Sequence, residues 1–276
     1  MQTTVQCGSQ EIEVEIGFMQ FAPVLGNVRA TIDKIDKLSA HCIGADLLVL
    51  PELCNSGYNF ESEEQAWVTS EEIGYGVFLQ YLESLCLRLG CHIVSGLNER
   101  QGSRLYNSAI LVGPQGYVGR YRKLHLFLNE KDFFEPGDVG LPVFDIGPCR
   151  IGMLVCFDWI FPEAWRVLAL KGADIICHPA NLVLPGLAQR AVPIHALTNR
   201  LYVVTANRVG SERELRFTGM STIADPKGQV LAQASRTREE VGRMEIDVSL
   251  ARTKDITSRN NILADRRPEQ YTLLAE

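Results

Sequence analysis

Apolar positions along the chain fall into two alternating patterns. Short, densely apolar runs read as strands, and stretches with apolar residues every three or four positions read as helices. Residues 12–21 form the first strand, ended by Pro23, and 27–42 the first helix, with Asn27 as its N-cap. Residues 46–50, Asp-Leu-Leu-Val-Leu, are a nearly all-apolar strand of the type buried on both faces. Val77, Phe78, Tyr81, Leu82, Leu85 and Leu89 recur at helical spacing until Gly90 stops them. Strands follow at 91–97, 106–113 and 116–121, the last after a Pro-Gln-Gly turn. The second half repeats the style, with strands at 143–146, 151–155 and 173–178. Between the last two lies a helix at 161–171, with Pro162 in its first turn and Gly172 at its end. A helix at 187–200 leads into a strand at 201–206, and strands at 219–224, 229–234 and 241–246 complete the set. The tail from Ala251 reads as polar and irregular. With no repeat, low-complexity linker or abrupt compositional change, this mixture predicts one α/β domain over 1–276, with parallel and antiparallel pairing.

Composition narrows the class further. The 276 residues are 46% hydrophobic and 22% charged, which suits a globular core large enough to need no staples. A net charge of −6 argues against a general binder of nucleic acid or anionic membranes, which needs a basic face. No apolar run approaches the ~20 residues of a membrane span. The polar, acidic segment 1–15 is unlike a signal peptide. Eight cysteines (Cys7, Cys42, Cys54, Cys86, Cys91, Cys149, Cys156 and Cys177) are scattered through apolar segments, and they read as reduced thiols of a cytoplasmic protein. There is no Cys-x-x-Cys pair, and His41, His92, His125, His178 and His195 show no ligand spacing. Neither a metal nor another cofactor is expected.

Three strand ends carry residues able to do chemistry, where open α/β sheets place their sites. The first is Leu-Val-Leu followed by Pro51-Glu52-Leu53. Glu52 is either a solvated carboxylate or a general base in a partly desolvated place. The second is Tyr121-Arg122-Lys123-Leu124-His125-Leu126. Lys123 is either a snorkelling surface residue or a fixed cation aimed at a developing oxyanion, and His125 reads as structural. The third is Ile151 to Val155, then Cys156-Phe157-Asp158 and Phe161-Pro162-Glu163. Here the thiol sits at a strand-to-helix elbow, beside backbone N–H groups that favour thiolate and can hold an oxyanion. A cysteine closing an apolar run is by default buried filler, the reading given to the other seven. Glu52, Lys123 and Cys156 together supply a base, a cation and a nucleophile, and Glu130 in Asn129-Glu130-Lys131-Asp132 adds a second carboxylate.

These motifs, with Phe134-Glu135-Pro136-Gly137 between the second and third, resemble the nitrilase superfamily of carbon–nitrogen hydrolases. The likeness runs in order from about residue 14 to about residue 267. It implies a four-layer α-β-β-α sandwich with mixed sheets, and a homodimer in which outer helices pack together. It maps a Glu-Lys-Cys triad onto Glu52, Lys123 and Cys156, and a second glutamate onto Glu130 rather than Glu135. Phe157, Asn181 and Tyr58 are the residues assigned to substrate binding. Nitrilases of this family follow the cysteine with Trp-Glu, whereas this chain has Phe157-Asp158, similar to the amidase and carbamoylase branches. His178-Pro179-Ala180-Asn181 also resembles an aliphatic-amidase-like branch.

The implied reaction is hydrolysis of a small aliphatic amide through a thioester on Cys156, releasing ammonia and a carboxylic acid. Three alternatives stand beside it. A nitrilase would act on nitriles, and an N-carbamoyl-amine hydrolase would also release carbon dioxide. A non-catalytic binding subunit would have no need of all three triad residues.

Overall fold

Strand alternation at the first sheet decides how the layers stack. In the computed structural model, which describes residues 12–275, the chain begins with β1 (Glu13–Gln20), α1 (Val28–Ser39), β2 (Leu47–Val49), α2 (Glu63–Val68) and α3 (Val77–Leu89). It continues through β3 (His92–Gln101), β4 (Arg104–Gly113), β5 (Gly116–Arg122) and a one-turn α4 (Glu130–Phe133). Next come β6 (Val143–Asp145), β7 (Arg150–Met153), a 3-10 turn (Cys156–Ile160), α5 (Pro162–Leu170), β8 (Ile175–Pro179), α6 (Leu187–Asn199) and β9 (Tyr202–Ala206). A two-stranded hairpin, β10 (Ser211–Glu212) and β11 (Leu215–Arg216), precedes β12 (Thr222–Ala224), β13 (Val230–Gln233), β14 (Glu240–Asp247) and α7 (Ser249–Arg252). A last hairpin pairs β15 (Asp255–Thr257) with β16 (Asn260–Asn261). Cys7 and most of segment 1–15 lie outside the described residues.

Two six-stranded sheets form, in the orders β14-β1-β2-β3-β4-β5 and β13-β12-β9-β8-β7-β6. Each has three parallel strands at its centre and antiparallel strands at its flanks. Helices α1 and α3 supply the crossovers of the first sheet, and α5 and α6 those of the second. Parallel strands need such crossovers, which cover the sheet with helices. In β2, Leu47 and Val49 join Val14, Ile16, Phe18 and Val94 in the core shared with the second sheet. Leu48 and Leu50 point the other way, into a cluster with Ile35 of α1 and Phe78 and Leu82 of α3. The period of two therefore divides the apolar residues between two cores. The result is α1/α3, sheet, sheet, α5/α6: the four-layer arrangement with mixed sheets.

Local chemistry explains the element ends. Asn27 Oδ1 accepts the N–H of Ala30 at 3.0 Å and starts α1 as expected. β12 begins at Thr222 and not at 219, because Gly219 and Met220 are both left-handed, at φ 59° and 58°. β3 runs on to Gln101 because its polar end pairs with β4, which an apolar count cannot reveal. The tail is polar but ordered: the Asp265 carboxylate accepts from Asn261 N–H and Asn260 Nδ2 and closes the turn that follows β16. Helix α2 was not anticipated; its Ser62 cap accepts the Gln65 N–H at 3.2 Å. No helix among the described residues is long and apolar enough to cross a membrane.

Candidate active site

Glu52 follows the end of β2, Lys123 follows β5, and Cys156 opens the 3-10 turn after β7. All three are buried. Lys123 Nζ lies 2.7 Å from Glu52 Oε1 and 2.7 Å from Glu130 Oε1. The Lys123 backbone is clamped on both sides: its N–H donates to Asn107 O at 2.8 Å, and its carbonyl accepts from Gly137 N–H at 2.9 Å. This explains the glycine of the Phe-Glu-Pro-Gly turn, since a Cβ at 137 would sit 2.1 Å from the Arg122 carbonyl oxygen. Glu135 is exposed and takes no part in the cluster.

Each carboxylate is oriented by further donors. Asn107 Nδ2 donates to Glu52 Oε1 at 2.7 Å, and Asn181 Nδ2 donates to the Glu52 carbonyl at 3.0 Å. Glu52 Oε2 is buried and has no partner among the described residues. Glu130 accepts from the Tyr58 hydroxyl at 2.8 Å and from Phe127 N–H at 3.3 Å. Burial pushes the Glu130 carboxyl up to about 7, Lys123 pulls it back, and Glu52 adds to the rise. Burial alone would lower Lys123, but Glu130 and Glu52 outweigh it and hold the ammonium above the ordinary lysine range.

The elbow at Cys156 is strained and braced. Its φ is 43°, a left-handed conformation that a non-glycine residue keeps only when its surroundings hold it. Asp158 Oδ2 accepts from Val155 N–H and the Tyr121 hydroxyl, both at 2.8 Å. Its Oδ1 pairs with His125 Nδ1 at 2.7 Å, and the His125 ring stacks on Phe161 at 3.6 Å. His125 is thus a brace, as its sequence context suggested. One expectation needs correction. The elbow does not by itself make a thiolate: burial raises the Cys156 thiol well above its usual range, and Glu52 raises it further. Lys123 and the Asn181 N–H act in the opposite direction. Burial thus favours the neutral thiol, which needs a base to react.

Over the thiol lies a small cavity lined by Phe127, Phe157, Trp159, Leu182, Val183 and Leu184, with Asn181 as its polar member. Beside it, sharing Phe157, is an open cavity of about 610 Å³. Phe157 and Asn181, two of the residues assigned to substrate, line the cavity over the thiol. Tyr58 does not line the thiol cavity, and its hydroxyl is engaged by Glu130. Asn107 was missed, although a polar residue inside the buried strand β4 was the available signal. Among the described residues no group of three or more His, Cys, Asp and Glu side chains could hold a metal ion.

The family model for carbon–nitrogen hydrolases matches residues 10–255. The chain belongs to that family. This hydrolase is 50% identical over 260 residues to a protein called "Nitrilase" from Pyrococcus abyssi, covering 94% of this chain and 99% of the relative. It is 35% identical over 258 residues to an (R)-stereoselective amidase from Pseudomonas sp., covering 92% of each. Among solved structures, an amidase from Nesterenkonia sp. superposes with TM-score 0.79 at 25% identity, over 96% of the hydrolase and 97% of the amidase. A mutant of that amidase, from Nesterenkonia sp. AN1, carries the acetamide moiety of fluoroacetamide added covalently at its active-site cysteine. The hydrolase is an enzyme of the nitrilase superfamily with amidases as structural neighbours, and its Glu-Lys-Cys set is typical of the family.

Proposed function

We propose that the enzyme hydrolyses small, uncharged primary amides with an apolar acyl group, releasing ammonia and a carboxylic acid. The observation that carries this is a set of buried acceptors at and around Glu52. Glu52 Oε2, Asn107 Oδ1 and Asn181 Oδ1 have no donor among the described residues. Both asparagine orientations are fixed, because each Nδ2 already donates to Glu52. Unmet buried acceptors are costly, and a substrate that brings N–H donors relieves them. A primary amide brings two, and a nitrile brings none. The lining of the thiol cavity is otherwise apolar, with no cation for a substrate carboxylate.

In the proposed reaction Glu52 Oε2 takes the thiol proton as Cys156 Sγ attacks the carbonyl carbon. Lys123 Nζ and the Phe157 N–H hold the resulting oxyanion, each worth ~3 kcal/mol of barrier. As the C–N bond breaks, Glu52 returns its proton to the leaving nitrogen, which departs as ammonia. A thioester remains on Cys156. Water then attacks it, with Glu52 again accepting the proton, and the C–S bond breaks to release acid and regenerate the thiol. Glu130 keeps Lys123 charged and in place.

The test is ammonia release from propionamide and propionitrile side by side. Turnover of the amide alone supports the reading. Turnover of the nitrile alone moves the enzyme to the second reading, nitrile hydrolysis, which the name of the 50% identical relative favours. Carbon dioxide released with ammonia from an N-carbamoyl amine would favour the carbamoylase alternative. We further propose a reducing, cytoplasmic setting, in keeping with the free cysteines at Cys42, Cys54, Cys86, Cys91, Cys149, Cys156 and Cys177. A homodimer would cover exposed Val167 and Leu170 of α5 and Ile194 and Leu197 of α6, and light scattering on the eluting protein checks its mass.

A further inference from the structure

His178 lies on β8 and is wholly buried. Its Nε2 is 2.9 Å from the carbonyl oxygen of Cys156, and its Nδ1 is 3.0 Å from Thr205 Oγ1 on β9. A carbonyl oxygen only accepts, so Nε2 carries the proton. In a neutral ring Nδ1 is then the acceptor for the Thr205 hydroxyl. Burial favours the neutral ring by pulling its pKa below the ordinary histidine value. The hydrogen bonds therefore run in one direction, from Thr205 through His178 to the Cys156 carbonyl.

That carbonyl belongs to the same peptide unit as the Phe157 N–H. The unit is trans, so its C=O and N–H point in opposite directions. The Phe157 N–H meets no acceptor among the described residues. Holding the oxygen on the β8 side therefore fixes where the free N–H points. Hydrogen bonds in a chain also polarise one another, so the grip on the carbonyl strengthens the N–H as a donor. The grip falls on the residue whose left-handed φ of 43° must be held from outside.

We propose that His178 is a positioning residue, which aims and strengthens the Phe157 N–H as the backbone donor to the oxyanion. The inference rests on the amide reading above.

The experiment compares two reactions at Cys156. Hydrolysis of propionamide needs an oxyanion donor. Modification by methyl methanethiosulfonate, a small thiol reagent without a carbonyl, does not. Both need the thiol proton removed. For His178→Phe, kcat for propionamide should fall by about tenfold or more, part of the ~10²–10³ lost when an oxyanion donor is deleted, while modification stays within roughly threefold of native. His178→Gln, which keeps an N–H donor, should recover much of the lost kcat. Thr205→Val should fall between native and His178→Phe. Should His178→Phe fail to fold in a thermal melt, the Gln and Thr205→Val variants decide by the same two rates. Loss of both reactions together would reduce His178 to a structural support. Native kcat in His178→Phe, or in Thr205→Val where that variant decides, would overturn the proposal, as would equal kcat in the Phe and Gln variants. If the native protein releases no ammonia from any amide, the amide reading falls and takes this inference with it. Native turnover with unaffected variants removes the inference alone.

Discussion

The loops that follow β2 and β7 each turn on a non-glycine residue in the left-handed region, Leu53 at φ 47° and Cys156 at φ 43°. In the first, the strained residue comes one position after the functional side chain, Glu52. In the second, the strained residue is the functional one. The first loop is pinned by close packing, with one side chain, Asn181, on the Glu52 carbonyl. Gly96 donates to the Pro51 carbonyl at 3.0 Å, and a Cβ at 96 would lie 2.4 Å from Glu52 Cα and from Leu53 N. The second is pinned by side chains, His178 on the carbonyl and Asp158 on the Val155 N–H. The difference follows from what each loop must deliver. A base needs only to bring one oxygen within reach. The nucleophile must present its sulfur and also aim the next peptide N–H, so its backbone is oriented atom by atom.

The strongest test of the comparison removes the chemistry at each loop. Cys156→Ala should lower ammonia release from a good amide substrate by ~10⁴ or more, as loss of a nucleophile does elsewhere. Glu52→Gln should also be severely impaired, and native-like turnover in it would remove the β2 loop from the reaction. Packing at the first loop is tested by Gly96→Ala, which must displace Glu52 from Lys123. A displacement near 1 Å predicts a loss of ~10² in kcat. Bracing at the second loop is tested by Asp158→Asn, which leaves one of the buried donors to the carboxylate without its charged acceptor. Its urea midpoint should fall by an amount worth about 2 kcal/mol. An unchanged midpoint would mean that the elbow holds itself.

The smallest effect concerns pH. Glu130 titrates at about 7, pushed there by burial. Below that pH the carboxyl is neutral and Lys123 keeps Glu52 as its one carboxylate partner, so kcat/KM should fall as pH drops through this region. The Tyr58 hydrogen bond lowers the Glu130 value. Tyr58→Phe should therefore move the limb to higher pH, by less than about one unit, since such a bond is worth ~1 kcal/mol. Glu130→Gln should abolish the limb. A limb that survives in Glu130→Gln belongs to another group.

The two loops were not equally legible in the sequence. Cys156 and Glu52 each follow an apolar run and Lys123 ends a strand rich in tyrosine and arginine, so position and residue type marked them. The strands before Glu52 and Cys156 were also visible, because buried parallel strands leave dense apolar runs. The braces were not. Asn107 is one polar residue in an apolar strand, and nothing local says that its amide reaches a residue 55 positions away. Asp158 read as a marker of substrate branch, and its second role, the acceptor that closes the elbow, was not legible. Tyr58 was assigned to substrate binding. Its partner is Glu130, 72 residues on, and only the fold brings them together. Helix α2 was hidden because one buried residue, Ala66, is too little for an apolar period.

The reacting groups come from both sheets: Glu52 and Lys123 follow strands of the first, and Cys156 and Asn181 follow strands of the second. Neither sheet alone holds a working set. A chain in which one sheet has formed and the other has not carries a thiol without its base and cation. Catalytic competence is then a late event in maturation, and regained turnover during refolding becomes a clock for the moment the sheets dock.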